Sequence, residues 1–536
     1  LPNKRLKTAA GNMILKKCAL YALLVVACIQ GRAQIIPIGS IRTEEATRDL
    51  QLLGKIPSNY SFNNRPFVSS NAIAQDSIYK WIDPEYFAAS KHFDKILHKR
   101  WFKITLLPFE TTVQYNSSTP YGYNNGAFIK AKGLQQLTRA GLFVQAGPLQ
   151  IQAAPEIVTA QNNSYDVTPG YGNNTTPNFK KIYPGQSSVS LNFNALSIGV
   201  ASTNKWYGPG INNSLLMSNN APGFARAFIG TNRPLVTPIG SFEWTLNSGW
   251  VTEDSTLQFE NYALKASSKL NRRMYYNGIV LSFQPKWFSG LHVGISRAYV
   301  VSESDLNSSA FDNSGFVDKY LPVFSVLEKR SILATEDQKG RDQQASLFMR
   351  WVLPKNNFEF YAEYGWNDHA VDIRDLYMGP GHSASYLVGI KKIIPIPTRK
   401  AYFNVDLEYM RGEQLAESLV RDAGNWNYHG DLQTFTNDNQ LLGSAVGPGN
   451  NSIKIATSYN RGWNRILFSI EKVQNNPQYF SVNPWTDMVY GTGADYRIKN
   501  LVISSVVKAV VQKNYGWQAG NHSNNIFASL GFKYLF

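Results

Sequence analysis

The chain is poor in the residues and runs that many functional classes require. Of its 536 residues only two are cysteine, Cys18 and Cys28, and both fall in a stretch that reads as an export signal. Met13 opens a short basic region with Lys16 and Lys17, an apolar stretch follows from Cys18 to Ile29, and Gly31-Arg32-Ala33 supplies a small-x-small cleavage site. Residues 1–33 are therefore expected to be a signal peptide, residues 1–12 an over-extended start, and Gln34 the first mature residue. Such a mature chain has no disulfide, thiolate nucleophile or cysteine metal site. A competing reading stays open: Val25-Val26-Ala27-Cys28 loosely fits a lipoprotein processing site, which would leave Cys28 acylated.

Long apolar runs are also missing. Beyond the N-terminus no stretch of roughly eighteen apolar residues occurs, which excludes further spanning helices. A composition 43% hydrophobic and 13% aromatic excludes disorder, so a membrane-crossing chain of this kind must form a closed barrel. Acidic residues are outnumbered, 37 against 53 Lys and Arg. Six of the basic residues lie in 1–33, leaving 47 against 37. They form no long run, which fits a solvated surface and a lumen facing anionic lipopolysaccharide or acidic glycans better than nucleic acid.

Catalytic signatures are absent too. There is no Gly-x-Ser-x-Gly elbow, phosphate loop or dinucleotide fingerprint. No pair among His92, His98, His292, His369, His382, His429 and His522 has a helical metal spacing. Trp366-Asn367-Asp368-His369 reads as a hairpin turn rather than an acid/base pair. Glu359, Glu363, Asp406 and Glu408 offer carboxylates for a glycosidase, but large barrels pair such acids with lumen Arg and Lys. No enzyme activity, cofactor or metal is expected.

What is present is alternation. Residues 34–98 read as a helical or irregular periplasmic base or plug. Thr43 is placed to cap a helix with Glu44 and Glu45 in its first turn, Leu50 and Leu53 on its apolar side and Gly54 at its end. Asp83-Pro84 is expected to start a second helix with Phe87, Ile96 and Leu97 buried. From residue 99 to 536 a period of two dominates, the signature of strands with one face on lipid and one on the lumen. Val189, Leu191 and Phe193 alternate with Ser188, Ser190 and Asn192; Phe358, Phe360, Ala362 and Tyr364 with Glu359, Tyr361 and Glu363; Phe403, Val405, Leu407 and Tyr409 with Asn404, Asp406 and Glu408. The 29 Tyr, 29 Phe and 12 Trp supply the rings that interfacial girdles need. The last strand sets Ile526, Ala528, Leu530, Phe532, Tyr534 and Phe536 on one face, and Phe532, Tyr534 and Phe536 resemble the signal that barrel assembly machinery reads. At about 24 residues per strand and connection the length allows roughly 16 to 18 strands. Long polar connections are expected around 156–186, 303–344 and 411–452.

Three glycine-rich blocks stand out. The first is Asn204-Lys205-Trp206-Tyr207-Gly208-Pro209-Gly210, followed by Asn213-Ser214-Leu215-Leu216 and Asn219-Asn220-Ala221-Pro222-Gly223-Phe224. The second is Gly379-Pro380-Gly381-His382, and the third ends in Gly447-Pro448-Gly449-Asn450-Asn451-Ser452. Gly-Pro-Gly fixes one φ and frees its neighbours, which suits either close approach to a ligand or a loop folded inward to block the lumen. The rings and amides beside it are groups that bind sugar. Asn204, Trp206, Tyr207, Gly208, Pro209, Gly210, Asn213, Asn219, Asn220, His382, Asn450 and Asn451 are the candidates for one or the other use.

At these residues the chain resembles the capsule assembly Wzi family, particularly its Bacteroidota-type members. Trp206-Tyr207-Gly208-Pro209-Gly210 with the Asn-Ser-Leu-Leu and Asn-Ala-Pro-Gly-Phe stretches carries the likeness, supported by Gly126-Ala127-Phe128 to Gly133-Leu134-Gln135 and by Thr436-Asn437 to the third block. The resemblance runs from about residue 40 to the C-terminus. It implies an all-β architecture, a large antiparallel transmembrane barrel of roughly 18 strands, monomeric, with a small helical periplasmic segment and loops occluding the lumen. It also implies a lectin-like role at the cell surface, with capsular or other surface polysaccharide as partner beside outer-membrane lipid and lipopolysaccharide. A porin or substrate channel is the alternative.

Overall fold

The computed structural model describes residues 34–69, 73, 75–84, 95–98, 102–165, 177–252, 273–312, 314–324, 339–367, 384–413, 428–429, 432–433, 435–447, 449–477 and 481–536. Residues 1–33, read as a signal peptide, and Phe87, His92, His369, Gly379-Pro380-Gly381-His382 and Pro448 lie outside the described residues.

Eighteen antiparallel strands form a closed barrel. In chain order they are β1 (Phe102–Asn116), β2 (Gly133–Ala146), β3 (Leu149–Ala153 and Glu156–Ala160), β4 (Phe179–Tyr183 and Ser188–Phe193), β5 (Leu196–Ala201), β6 (Arg226–Thr231 and Leu235–Thr237), β7 (Gly240–Thr252), β8 (Arg273–Pro285) and β9 (Leu291–Ser302). The circuit continues with β10 (Arg341–Leu353), β11 (Phe358–Asn367), β12 (Ala384–Ile396), β13 (Ala401–Arg411), β14 (Asn451–Arg461), β15 (Asn464–Asn475), β16 (Trp485–Ile498), β17 (Leu501–Lys513) and β18 (Ser523–Tyr534). It closes between β18 and β1, from Phe527 opposite Asn116 to Tyr534 opposite Phe109. Closure pairs the first strand of the circuit with the last, the condition for burying backbone in lipid.

The barrel is inside out relative to a soluble protein. Val200, Leu347, Phe468 and Ile470 are about half exposed, 55%, 51%, 57% and 48%, while Asn192, Glu359, Arg350 and Asn277 are 0% exposed. The alternation read from the sequence thus sorts apolar side chains onto the outer wall and polar ones into the lumen. Short turns join the strands at the end where the N-terminal segment sits, for example 147–148, 194–195 and 499–500, and long connections lie at the other. In this architecture the short turns face the periplasm.

Two expectations for the connections change. Strand pairing reaches into 156–186, where Glu156–Ala160 pairs with Phe179–Tyr183, because Glu156 finds Arg139 in the lumen at 3.1 Å while Ile157 and Ile182 turn outward. Lys95–His98, read as helical or irregular, is a strand paired with β1.

The N-terminal segment enters the lumen. Helix α1 (Thr43–Leu52) is buried nearly all round, Thr47, Arg48, Asp49 and Gln51 included, since its polar faces meet a polar wall rather than water. Thr43 does not cap it. The N-cap is Arg42 at φ 60°, without a side-chain cap bond, and the Thr43 hydroxyl instead accepts from Lys533 of β18. Gly54 does end it, at φ +72°, with its N–H donating to the Gln51 carbonyl at 3.0 Å. Pro84 is helical, as expected of a start at Asp83-Pro84, and residues 85–94 lie outside the described residues. Helix α2 (Gln75–Ile82), which was not expected from the sequence, precedes it. Its Ile78 and Ile82 join Trp463, Val502 and Leu535 of the barrel's lower rim, and Asp83 is drawn to Arg497 at 3.0 Å.

Candidate functional site

Inside the barrel the N-terminal plug and the connection 202–225 meet. Trp206-Tyr207 pairs as a two-residue antiparallel strand with Asn64-Arg65 of the plug. The Trp206 ring lies 4.3 Å from the Arg65 guanidinium carbon, and the Gly208 N–H donates to the Asn63 carbonyl at 2.8 Å. The next two carbonyls face the plug as well: Pro209 accepts from Arg48 at 2.8 Å and Gly210 from Arg65 at 2.6 Å. Glycine is required here. A Cβ on Gly208, where φ is +83°, would stand 2.7 Å from Glu363 Oε2, and one on Gly210 would stand 1.9 Å from the Asn213 carbonyl.

The lumen carboxylates grip this junction. Glu359 accepts from Arg48 of the plug at 2.8 Å and from Arg350 of β10 at 2.9 Å through Nε. Arg350 in turn donates to Gln51 and to the Ser61 carbonyl, both at 2.8 Å. Glu408 accepts the backbone N–H groups of Ile211 and Asn212 at 2.7 and 3.0 Å, the Asn213 amide at 3.2 Å and the Tyr361 hydroxyl at 2.9 Å. These acids bind protein groups from plug, loop and wall together.

The remaining candidates from the glycine-rich blocks are sealed in the same packing. Asn204 donates to Asn219 Oδ1 at 2.7 Å and to the Ala221 carbonyl at 2.8 Å. Tyr207 is fully buried, its hydroxyl accepting from Asn247 at 2.7 Å. Asn219 donates to the Asn124 carbonyl of the connection 117–132, and Asn220 to the Leu441 carbonyl of the connection 412–450, each at 3.1 Å. Asn450 spends its amide on the Val446 carbonyl and Asn475, at 2.6 and 2.9 Å, and Asn451 on Glu413 at 2.8 Å. Three connections from the outer end therefore interlock beneath the surface. Phe532 and Tyr534 sit on the outer wall of β18, and the Phe536 ring lies 5.2 Å from that of Tyr534.

Two of the cavities in the lumen flank this junction. The larger, of about 250 Å³, lies between the inturned loops and β13 to β18, among Tyr123, Asn212, Asp406, Lys454, Arg465 and Lys508. The smaller, of about 80 Å³, lies between the plug and β4 to β7. Its wall holds Lys205 and Arg226. Lys205 donates to Asn64 Oδ1 at 3.1 Å, and Arg226 to Asn247 at 3.0 Å, Thr203 at 2.9 Å and the Phe224 carbonyl at 3.3 Å. Burial, and then the nearby Arg226 charge, push the Lys205 ammonium down to about 7. Lys205 stands inside the first glycine-rich block, but nothing in its spacing singled it out, and Arg226 has no local signal at all.

A model of the family described as capsule assembly protein Wzi matches residues 110–499. The chain belongs to the Wzi family. Its fold is similar to that of Escherichia coli Wzi, an outer-membrane protein involved in group 1 capsule assembly and a carbohydrate-binding β-barrel. That match has 12% identity and a TM-score of 0.61, over 94% of this chain and 100% of that one. Weaker matches include Acinetobacter baumannii OccAB1, with 9% identity and a TM-score of 0.40 over 83% of this chain and 99% of that one. A variant of the Rh. blastica porin has 11% identity and a TM-score of 0.33, over 81% and 100%. Curated protein sequences give no match.

Proposed function

We propose that this Wzi-family barrel holds or organises capsular or other surface polysaccharide at the outer face of the outer membrane, lectin-like and without chemistry on its ligand. Family membership supports the role in capsule assembly, and the carbohydrate binding of the E. coli barrel supports the ligand class. The observation that carries the reading is the junction of Trp206-Tyr207 with Asn64-Arg65, which ties an outer loop to the plug across the lumen. A barrel built to pass solutes leaves its constriction open, whereas this one spends glycines, lumen acids and arginines on closing it. In this reading Trp206 and Tyr207 act as occluding residues, and the polysaccharide meets the outer connections they support.

The apolar outer wall takes membrane lipid and lipopolysaccharide, barrel assembly machinery engages Phe532, Tyr534 and Phe536, and the barrel acts as a monomer. Pull-down of surface polysaccharide extracted from the source cells, paired with planar-bilayer recording of the full chain, tests the reading. Wild-type protein should retain polysaccharide and stay silent, and the Trp206→Ala/Tyr207→Ala pair should leak current while still retaining it. A steady wild-type conductance with no retention would overturn the proposal in favour of a porin. The cavity of about 250 Å³ beside Lys454 and Lys508 is the observation on that side.

A further inference from the structure

The small cavity carries two cations without an acidic partner among the described residues. Lys205 and Arg226 both border it, Arg226 is 5% exposed, and every hydrogen bond described for either goes to a neutral amide, hydroxyl or carbonyl. Among the described residues neither forms an ion pair, in a lumen where Arg48, Arg139, Arg350, Arg465, Lys391 and Lys533 all do. Burying two like charges close together without a counter-ion is costly, and an anion between them would relieve that cost. The one carboxylate on the wall, Glu243, is held elsewhere by the Ser61 N–H at 2.5 Å.

The rest of the wall describes what bears that anion. Asn192, Asn232, Ser188 and Ser197 offer amides and hydroxyls, and Phe67 and Phe228 offer apolar faces. Amides with ring faces suit the hydroxyls and C–H surface of a sugar. At roughly 10–15 Å³ per enclosed water, a space of about 80 Å³ takes one sugar unit entering end-on and excludes a longer chain. It extends from Lys205 and Arg226, at the inturned connection and the start of β6, toward the short turn at Asn194 and Ala195, where the Asn232 N–H donates to the Ala195 carbonyl at 2.9 Å.

We propose that this cavity is a second glycan site, which receives the terminal acidic sugar of a saccharide with its carboxylate between Lys205 and Arg226. The inference rests on the polysaccharide reading for its ligand class, but places this site inside the lumen, behind the inturned connection 202–225, and not on the outer surface of the loops.

Calorimetric titration of the full chain in detergent tests it, with trisaccharides of glucuronate, galacturonate and mannuronate each run beside its carboxyl-reduced form. At least one acidic trisaccharide should bind and its reduced form should not. Lys205→Gln should weaken that binding at least tenfold and Lys205→Arg should restore it, with the heat-modifiable gel mobility of the folded barrel unchanged in both. No binding by any acidic form, equal binding of a reduced form, or wild-type affinity in Lys205→Gln would each overturn the site. Retention of extracted polysaccharide on the same samples separates the two proposals. Retention without trisaccharide binding removes the cavity alone, whereas trisaccharide binding without retention removes the outer-face reading.

Discussion

Two regions of one lumen treat buried arginine and lysine in opposite ways. At the junction of plug, loop and wall, Arg350 and Arg48 converge on Glu359, and further donors are spent on the Gln51 side chain and the Ser61 and Pro209 carbonyls. Across the plug, Lys205 and Arg226 sit against a cavity with neutral partners only. The first arrangement satisfies itself and therefore holds structure together. The second is incomplete and so reads as a place for something else. Buried charge alone does not distinguish glue from site; the accounting of partners does.

The largest effect should come from breaking the satisfied side. Glu359→Gln leaves two buried guanidinium groups facing a neutral amide, and removing one partner of such a network typically costs 3–5 kcal/mol, on the order of a large core deletion. The urea midpoint of the full chain should fall, and the segment 34–82 should become open to protease before the barrel unfolds. An unchanged midpoint would show that the junction does not hold the plug.

Gly208→Ala comes next. The new Cβ would meet the Glu363 carboxylate at 2.7 Å from a residue at φ +83°, and a non-glycine residue held in sparsely populated backbone space costs on the order of 1–3 kcal/mol. Loop and plug should separate locally, which planar-bilayer recording would register as intermittent conductance. A silent Gly208→Ala variant of wild-type stability would mean that the loop shifts at no cost.

Lys205→Met sharpens the comparison from the other side. Its one described hydrogen bond, to Asn64, sets a loss of about 1 kcal/mol or less, offset by relief of a buried unpaired charge. Its urea midpoint should match or exceed that of wild type, where Glu359→Gln falls well below it. A loss as large as that of Glu359→Gln would make Lys205 part of the glue.

The barrel was legible because period-two alternation is a local pattern repeated many times: Phe358, Phe360 and Tyr364 out, Glu359 and Glu363 in, needs no partner to be read. The first glycine-rich block was legible as a close approach but not as to its target, since the Asn64-Arg65 strand that meets it lies about 140 positions away. Thr43 looked like a cap because its neighbours are acidic, yet its hydroxyl serves Lys533 from the far end of the chain. Asp83-Pro84 was legible as a helix start, Pro84 being helical, but the Arg497 that Asp83 meets was not. The cavity was illegible for the same reason. Lys205 and Arg226 gain meaning only from the carboxylates that closure of the barrel keeps away from them.

The smallest effect concerns a charge between the two regimes. Glu45 of α1 reaches Arg465 of β15, but its side chain is 52% exposed because it borders the larger cavity. Burial opposes its charged form, yet Arg465 and Arg42 outweigh it and hold the carboxyl down at about 2. A folded-state value below the ordinary 4.5 means the carboxylate contributes stability at neutral pH, and loses it as the pH falls from about 4.5 toward 2. Water in the cavity screens the pair, so the contribution is smaller than at Glu359. Wild type should therefore be modestly more stable than Glu45→Gln at pH 7, with the gap in urea midpoint closing as the pH is lowered through 4 to 3. A gap that persisted unchanged into acid would assign the effect to packing of the side chain, and would place Glu45 with the neutral contacts of α1 instead of with its charges.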